Sequence, residues 1–332
     1  MPLPPSALFA FNANLDHLRA ASEADLKAIE DYSPALSAQI DECFSYGVQK
    51  EVQIDSNACS FFLSKMKFDR TVIGGQAGNA AEQASALGVG CLLHSNFANE
   101  SLVKCFSCKE KIYLAGAGGF APAASFSSEA PSAHHFVLEH PESRTRFIAS
   151  YDPVPLHLDA DFCAAVDAKL PLLQKAFIGG LHLLQTPGRL QKFADEIARW
   201  KSINPSLEIF CEMGEFQKEE VREACRKGIF PLVDMVGLNG TELSSFGCSL
   251  EELASEAKSI LFHTPEHSLV LPRGKERESA LAFAEKCASF LAKNGRHGTL
   301  AEILAYEGGF VEEPVRTVGL GDAFSCAYFM SC

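Results

Sequence analysis

Short apolar runs alternate with amphipathic stretches along most of this chain, and that alternation limits the fold more than any other feature. "ALFAFN", "VGCLLHS", "KIYLAG", "KAFIGGLHLL", "LEIFCEM", "VDMVGLN" and "HSLVLPRG" read as strands. Between them lie helical stretches: a long region from about Glu23 to Tyr46, then "GNAAEQASALG", "RLQKFADEIARWKSI", "KEEVREACRKG" and "SLEELASEAKSILF". Strand runs spaced by helices of this length predict βαβ units, and so an α/β fold with a doubly wound, mainly parallel sheet. The strand runs are apolar on both faces, as a sheet covered on two sides requires. One segment breaks the rhythm. "HHFVLEHPESRTRFIASYD", His134 to Asp152, predicts a hairpin, and "QKEVQID" around Glu51 is similarly extended. The expectation is a single domain over 1–332 with a small β-rich lid inserted at approximately 15–70 and 131–152, because the connectors are too short to mark a linker.

Charge removes some partners. With 29 basic against 42 acidic residues the net charge is −13, which disfavours nucleic acid and anionic membrane surfaces. An anionic substrate therefore needs a local positive site or a metal. No apolar run reaches the roughly 20 residues of a membrane span. The opening "MPLPPSALFAFNANLD" lacks the basic start of a signal peptide. Twelve cysteines without a framework read as reduced thiols of a cytoplasmic protein, and the lone "CFSC" as packing.

Four polar motifs each follow a predicted strand, where open α/β sheets bind ligands. In "NANLD", Asn14 and Asp16 are two apart and can point the same way from an extended segment, unless they only cap a turn. In "GGQAGNAA", glycines and a helix start offer free N–H groups, with Gln76 and Asn79 adding side-chain donors; a tight strand-to-helix turn is the plainer reading. In "GLNGTEL", Asn239 and Glu242 share a helix start, with Glu212 of "FCEMGEF" nearby. That set suits water-mediated Mg²⁺, and a capping box explains the pair equally well. In "RTVGLGDAFSCAY", the N–H groups of Gly319, Leu320 and Gly321 can cradle an anion beside Asp322, which can accept a proton from an attacking hydroxyl.

"TVGLGD" resembles the GxGD motif of ribokinase-like sugar kinases, and "GLNGTEL" is similar to their NxxE motif. "GGQAGNAA", "RTVGLGD", "RFIASYD" and "FIGGL" look like the ADP-dependent branch, the ADP-dependent glucokinases and phosphofructokinases. The resemblance runs from Asn12 to Asp322 in the family's order. It implies transfer of the β-phosphoryl group of ADP to a hexose. Asp322 would be the base, and Gly319, Leu320 and Gly321 the anion hole. Glu242 and Glu212 would organise Mg²⁺. Asn14, Asp16, Gly75 and Gln76 would hold the sugar. Asn239, His263, Thr264 and Val318 would line the nucleotide. Glu51, after Lys50, matches the glutamate of glucose users, which favours glucose over fructose 6-phosphate. Three departures stand out: the stretch between "HTPEHSLVL" and "TVGLGD" is shorter than in the family, which leaves the choice of ADP or ATP open; Phe210 replaces a histidine; and His182 replaces a glutamine, as a further sugar contact or as a packed or solvent-facing histidine. A glucokinase is the expected enzyme, its oligomeric state open and a monomer compatible, with a phosphofructokinase or bifunctional enzyme next. An inactive sugar- or nucleotide-binding regulator is disfavoured, because a binder needs no base.

Overall fold

The computed structural model describes residues 6–116, 118–140, 142–143 and 145–332. Two positions in the turn of the expected hairpin, 141 and 144, and the first five residues of the proposed non-signal start lie outside the described residues. Among the described residues fourteen strands form two sheets. In chain order they are β1 (Ala7–Ala10), β2 (Asn14–Ala20), β3 (Lys50–Gln53), β4 (Arg70–Gly74), β5 (Cys91–Leu93), β6 (Ile112–Gly116), β7 (Gly119–Pro122), β8 (His134–Glu139), β9 (Arg146–Tyr151), β10 (Lys175–Ile178), β11 (Glu208–Glu212), β12 (Met235–Asn239), β13 (Ile260–His263) and β14 (Ser268–Leu271).

The large sheet has nine strands in the order β14-β13-β12-β11-β10-β1-β5-β6-β7. All its neighbours are parallel except the two edge pairs, β13–β14 and β6–β7. Both faces are covered. Ala7 and Phe9 of β1 enter one core with the helices Gln76–Ala86, Lys275–Asn294 and Leu320–Ser331, while Leu8 and Ala10 enter the other with the helix Pro187–Ile203. That is the period of two expected of a strand buried on both sides. Phe210 belongs to the first core, fully buried, with its ring 5.0 Å from that of Phe177. The sheet is the doubly wound, mainly parallel one read from the sequence.

Two elements differ from that reading. The helical region at Glu23–Tyr46 is two helices, Glu23–Tyr32 and Pro34–Tyr46. Ser33 is extended, with φ −150° and ψ 97°, and caps the second helix; Pro34 after it disfavours helical backbone at Ser33 and supplies no N–H to continue the first. The stretch "SLEELASEAKSILF" holds only the short helix Leu250–Ala254, and its last residues become β13. Ile260, Leu261 and Phe262 are consecutive apolar residues. A single helix face cannot bury all three, whereas a strand with cover on both faces can.

The small sheet runs β3-β9-β8-β2-β4. Its strands β8 and β9 pair antiparallel, as the hairpin pattern predicts. Three helices, Glu23–Tyr32, Pro34–Tyr46 and Ser56–Lys65, cover one face around Phe62, Phe136 and Phe147. The chain passes between the sheets twice near one place. It leaves β1 at Ala10 and enters β2 at Asn14, then returns from β4 through Gly75 into the helix Gln76–Ala86. Among the described residues no helix is long and apolar enough to cross a membrane.

Candidate active site

The glycine turn at 319–321 sits where the helix Leu320–Ser331 begins. Gly319 is its N-cap, with φ 72°. A Cβ there would lie 2.6 Å from the Asn79 Oδ1, so only glycine lets the turn press against that amide. The first-turn N–H groups have no side-chain cap and face outward as a helix N-terminus. Asp322 follows. Asn79 donates from Nδ2 to its Oδ2 at 3.0 Å, and the buried Arg316 donates to Asn79 Oδ1 at 2.9 Å. Burial, then the nearby Glu212 carboxyl, raises the Asp322 pKa to about 7, against the pull of Asn79 and His263.

Glu212 ends β11, Asn239 ends β12 and His263 ends β13, so three adjacent strands deliver them to one edge. Asn239 and Glu242 form the capping box: the Asn239 N–H donates to Glu242 Oε2 at 2.8 Å and the Glu242 N–H to Asn239 Oδ1 at 3.0 Å. Glu242 Oε1 is left over. Burial raises the pKa of Glu212 to about 8; burial and Glu212 together raise Glu242 to about 8. Glu212 Oε2 is buried and lacks a hydrogen-bond partner, and the missing Cβ of Gly237, which would lie 2.4 Å away, gives it room. Among the described residues no three acidic, His or Cys side chains converge to hold an ion unaided. Two clustered carboxyls with an unsatisfied oxygen fit a cation that keeps its waters. Thr264 is occupied at the β13–β14 turn, its Oγ1 accepting from the His267 N–H at 3.0 Å. Val318, expected from the sequence to line the nucleotide, packs its side chain against the small sheet. It is buried with Leu18 and Val137 of the small sheet, because residues 315–318 run beneath those strands.

On the other side, Asn14 donates to Asp16 Oδ1 at 2.7 Å, so both point one way from β2. Asn14 Oδ1 is buried without a partner, and burial raises the Asp16 pKa. Gly75, at φ 73°, approaches so near that a Cβ would lie 2.7 Å from Asn14 Oδ1. Gln76 bridges strand ends: its Oε1 accepts from the Gly180 N–H at 2.6 Å and its Nε2 donates to the Met213 carbonyl. Glu51 on β3 accepts from Ser150 Oγ and lies 4.0 Å from His135 Nδ1. His182 follows β10, with Nδ1 buried and unpartnered, and burial lowers its pKa. Its ring occupies the space where a Gly214 side chain would be.

His135 and Asp152, both within the quoted hairpin, are residues that the sequence reading did not single out. His135 is paired in register with Asp16, and its Nε2 lies 3.3 Å from Asp152 Oδ1. Burial alone would lower its pKa, but Asp152, Glu51 and Asp16 raise it to about 9. Arg316, quoted in the glycine motif without a role, is likewise part of the site. A doublet "HH" in an alternating strand signals only that one of the two faces inward, so spacing could not choose between them.

The described geometry is a helix N-terminus at a glycine turn beside a carboxyl poised near neutrality, flanked by an acidic edge and by the polar side chains of a second sheet. The family model for the ADP-specific phosphofructokinase/glucokinase conserved region matches residues 6–273. No curated protein matches. Among solved structures, a phosphofructokinase from Pyrococcus horikoshii OT3 with AMP superposes with a TM-score of 0.77 at 17% identity, covering 100% of this chain and 98% of that one. An ADP-dependent kinase in complex with fructose-6-phosphate and ADPβS gives 0.78 at 17% identity, covering 98% and 93%. Ribokinase from Giardia lamblia gives 0.51 at 12% identity, covering 80% and 71%. At these identities the structures speak to the fold, which is ribokinase-like, and the family match speaks to the chemistry. The chain belongs to the ADP-specific phosphofructokinase/glucokinase family, phosphotransferases that act on a sugar hydroxyl.

Proposed function

We propose that the protein is a glucokinase that transfers the β-phosphoryl group of ADP to glucose, with the small sheet as a lid over the sugar. Asp322 accepts the proton of the attacking hydroxyl, and a pKa of about 7 suits that task in neutral solution. The N–H groups of Gly319, Leu320 and Gly321 face the charge that develops on the transferred group. Glu212 and Glu242 would hold a hydrated divalent cation such as Mg²⁺, which supplies neutralisation of phosphoryl charge. Asn239, His263 and Thr264 border the nucleotide side. Asn14, Asp16, Gly75, Gln76 and His182 contact the sugar, joined by His135. We place the enzyme in the cytoplasm as a monomer, in keeping with twelve unpaired cysteines.

The observation that carries glucose over a sugar phosphate is the charge around Glu51. Asp16, Asp152 and Glu215 act on the same region as Glu51, against the positive charges of His135 and of Arg316, which also acts on Asp16. The basic side chains on the lid strands are all engaged. Arg19 pairs with Asp25, Lys50 with Glu42, Arg70 with the Val315 carbonyl, and Arg146 with the Thr317 carbonyl and Gln49. A 6-phosphate brought beside Glu51 meets that repulsion, while Arg70 and Arg146 keep their charge but spend donors on the carbonyls of Val315 and Thr317. Fructose 6-phosphate remains the second reading, favoured by the name and bound sugar of the ADP-dependent relatives. A coupled assay crossing ADP or ATP with glucose or fructose 6-phosphate decides. Glucose turnover with ADP supports the proposal. Turnover only with fructose 6-phosphate replaces it, and glucose binding without any turnover points to a regulator.

A further inference from the structure

We infer that Thr317 is a positioning residue that makes the alignment of Asp322 depend on the seating of the small sheet. The inference rests on the proposed role of Asp322 as base. Residues 315–318 lead directly into the glycine turn, and strands of the small sheet grip each end of that segment. Arg70 of β4 donates to the Val315 carbonyl at 2.6 Å, and Arg146 of β9 donates to the Thr317 carbonyl at 2.9 Å. The Thr317 hydroxyl donates to Glu139 Oε1 at the end of β8. The Val318 side chain is buried with Leu18 of β2 and Val137 of β8.

Arg316, between these anchors, points the opposite way. It is 4% exposed, and its Nε donates to the Val318 carbonyl at 2.9 Å. Its Nη2 donates to Asn79 Oδ1 at 2.9 Å, which leaves Asn79 Nδ2 to donate to Asp322. Only one orientation of the amide satisfies both partners. Arg316 thus fixes the amide, the amide fixes the carboxylate, and the backbone that carries Arg316 is held on one side by the small sheet and on the other by the Ala292 carbonyl, which accepts from the Val315 and Arg316 N–H groups at 2.7 and 3.2 Å. Shifting that sheet removes the anchors on either side of Arg316, leaves its backbone held at the Ala292 carbonyl, and loosens its hold on the amide. The base is then aligned only when the sheet is seated over the cleft, which also keeps water from being activated in its absence.

The Thr317–Glu139 contact is the side-chain anchor open to substitution. The full-length chain and its Thr317→Val, Thr317→Ser and Glu139→Ala variants are compared by turnover with ADP and glucose, by calorimetric sugar affinity and by amide hydrogen exchange. Thr317→Val keeps the shape and loses the hydroxyl. Turnover is expected to fall about tenfold with sugar affinity within about twofold, as for loss of one hydrogen bond to a charged group. Exchange of the amides at 319–323 should rise about fivefold or more, while the large sheet stays as protected as before. Thr317→Ser should recover both properties. Should Thr317→Val fail to fold, Glu139→Ala breaks the same bond from the other side. Parent-like exchange at 319–323 in the bond-breaking variants overturns the coupling, as does a Thr317→Ser variant as impaired as Thr317→Val. An inactive parent that still loosens at 319–323 on loss of the bond supports the coupling and removes the kinase reading instead.

Discussion

At the scale of single residues, the acid at the glycine turn and the acid on β3 have opposite requirements. Asp322 must give up its charge to a proton during the reaction. Replacing it with Asn keeps the shape and the partner Asn79 while removing the base. Turnover should fall ~10²–10⁴-fold with sugar affinity nearly unchanged, measured by steady-state kinetics and calorimetry. Near-normal turnover would remove Asp322 from the chemistry. Because its pKa is raised to about 7 and the ionised form is the active one, kcat/KM of the parent should climb with pH toward a plateau above neutrality. In the proposed reading Glu51 instead accepts from a sugar hydroxyl. A charge-assisted bond of that kind contributes roughly 1.5–3 kcal/mol, so Glu51→Ala should weaken glucose about 10- to 150-fold. Use of fructose 6-phosphate should stay level or improve. Unchanged kinetics with glucose would reduce Glu51 to a partner of Ser150 and remove the main support for glucose.

Elements decide what else Glu242 does. It completes the capping box of the helix Gly240–Phe246 while sharing an acidic edge with Glu212. Glutamine serves the box as well as glutamate does. Glu242→Gln should therefore leave the melting temperature within about 2–4 °C, the span of roughly 1 kcal/mol in a large domain, yet raise the Mg²⁺ concentration needed and lower turnover. Normal metal dependence with lost stability would make the residue a cap only. The same ambiguity explains how far the sequence could be read. The parallel strands were legible because burial on both faces leaves uninterrupted apolar runs, and the motifs at their ends are contiguous words such as "GGQAGNAA" and "GLNGTEL". The relay from Arg316 to Asn79 to Asp322 was not legible, since its members are 237 and 243 positions apart. Nor was β13, whose three consecutive apolar residues suit either a buried strand or the end of a helix. The packing of Val318 on Leu18 and Val137 was not legible for a related reason: the motif identifies the turn, but the sheet packed beneath its approach is built from distant strands.

At the scale of the whole molecule, two sheets meet across a cleft, and His135 carries the charge that binds the acidic walls of the small sheet together. It is held by Asp152 at 3.3 Å, with Glu51 at 4.0 Å and Asp16 alongside in the β2–β8 register. Its pKa in the folded chain is about 9, above the ordinary 6.5. A histidine raised on folding contributes stability that is fully present below about 6.5 and is lost as pH rises through about 9. At its largest that contribution is on the order of 3 kcal/mol. Once His135 is neutral, the repulsion among Glu51, Asp152 and Asp16 is offset less, with Arg316 still acting on Asp16. The small sheet should therefore loosen selectively between about pH 7 and 9, with faster amide exchange in β8, β9 and β3 and little change in β1, β10 and β11. Binding of a neutral sugar should become weaker over the same window. In His135→Asn the exchange of the small sheet should already be fast near neutrality and should then vary little up to pH 9. If the small sheet of that variant still loosens with pH as steeply as the parent's, the acidic walls are being held by something other than this histidine.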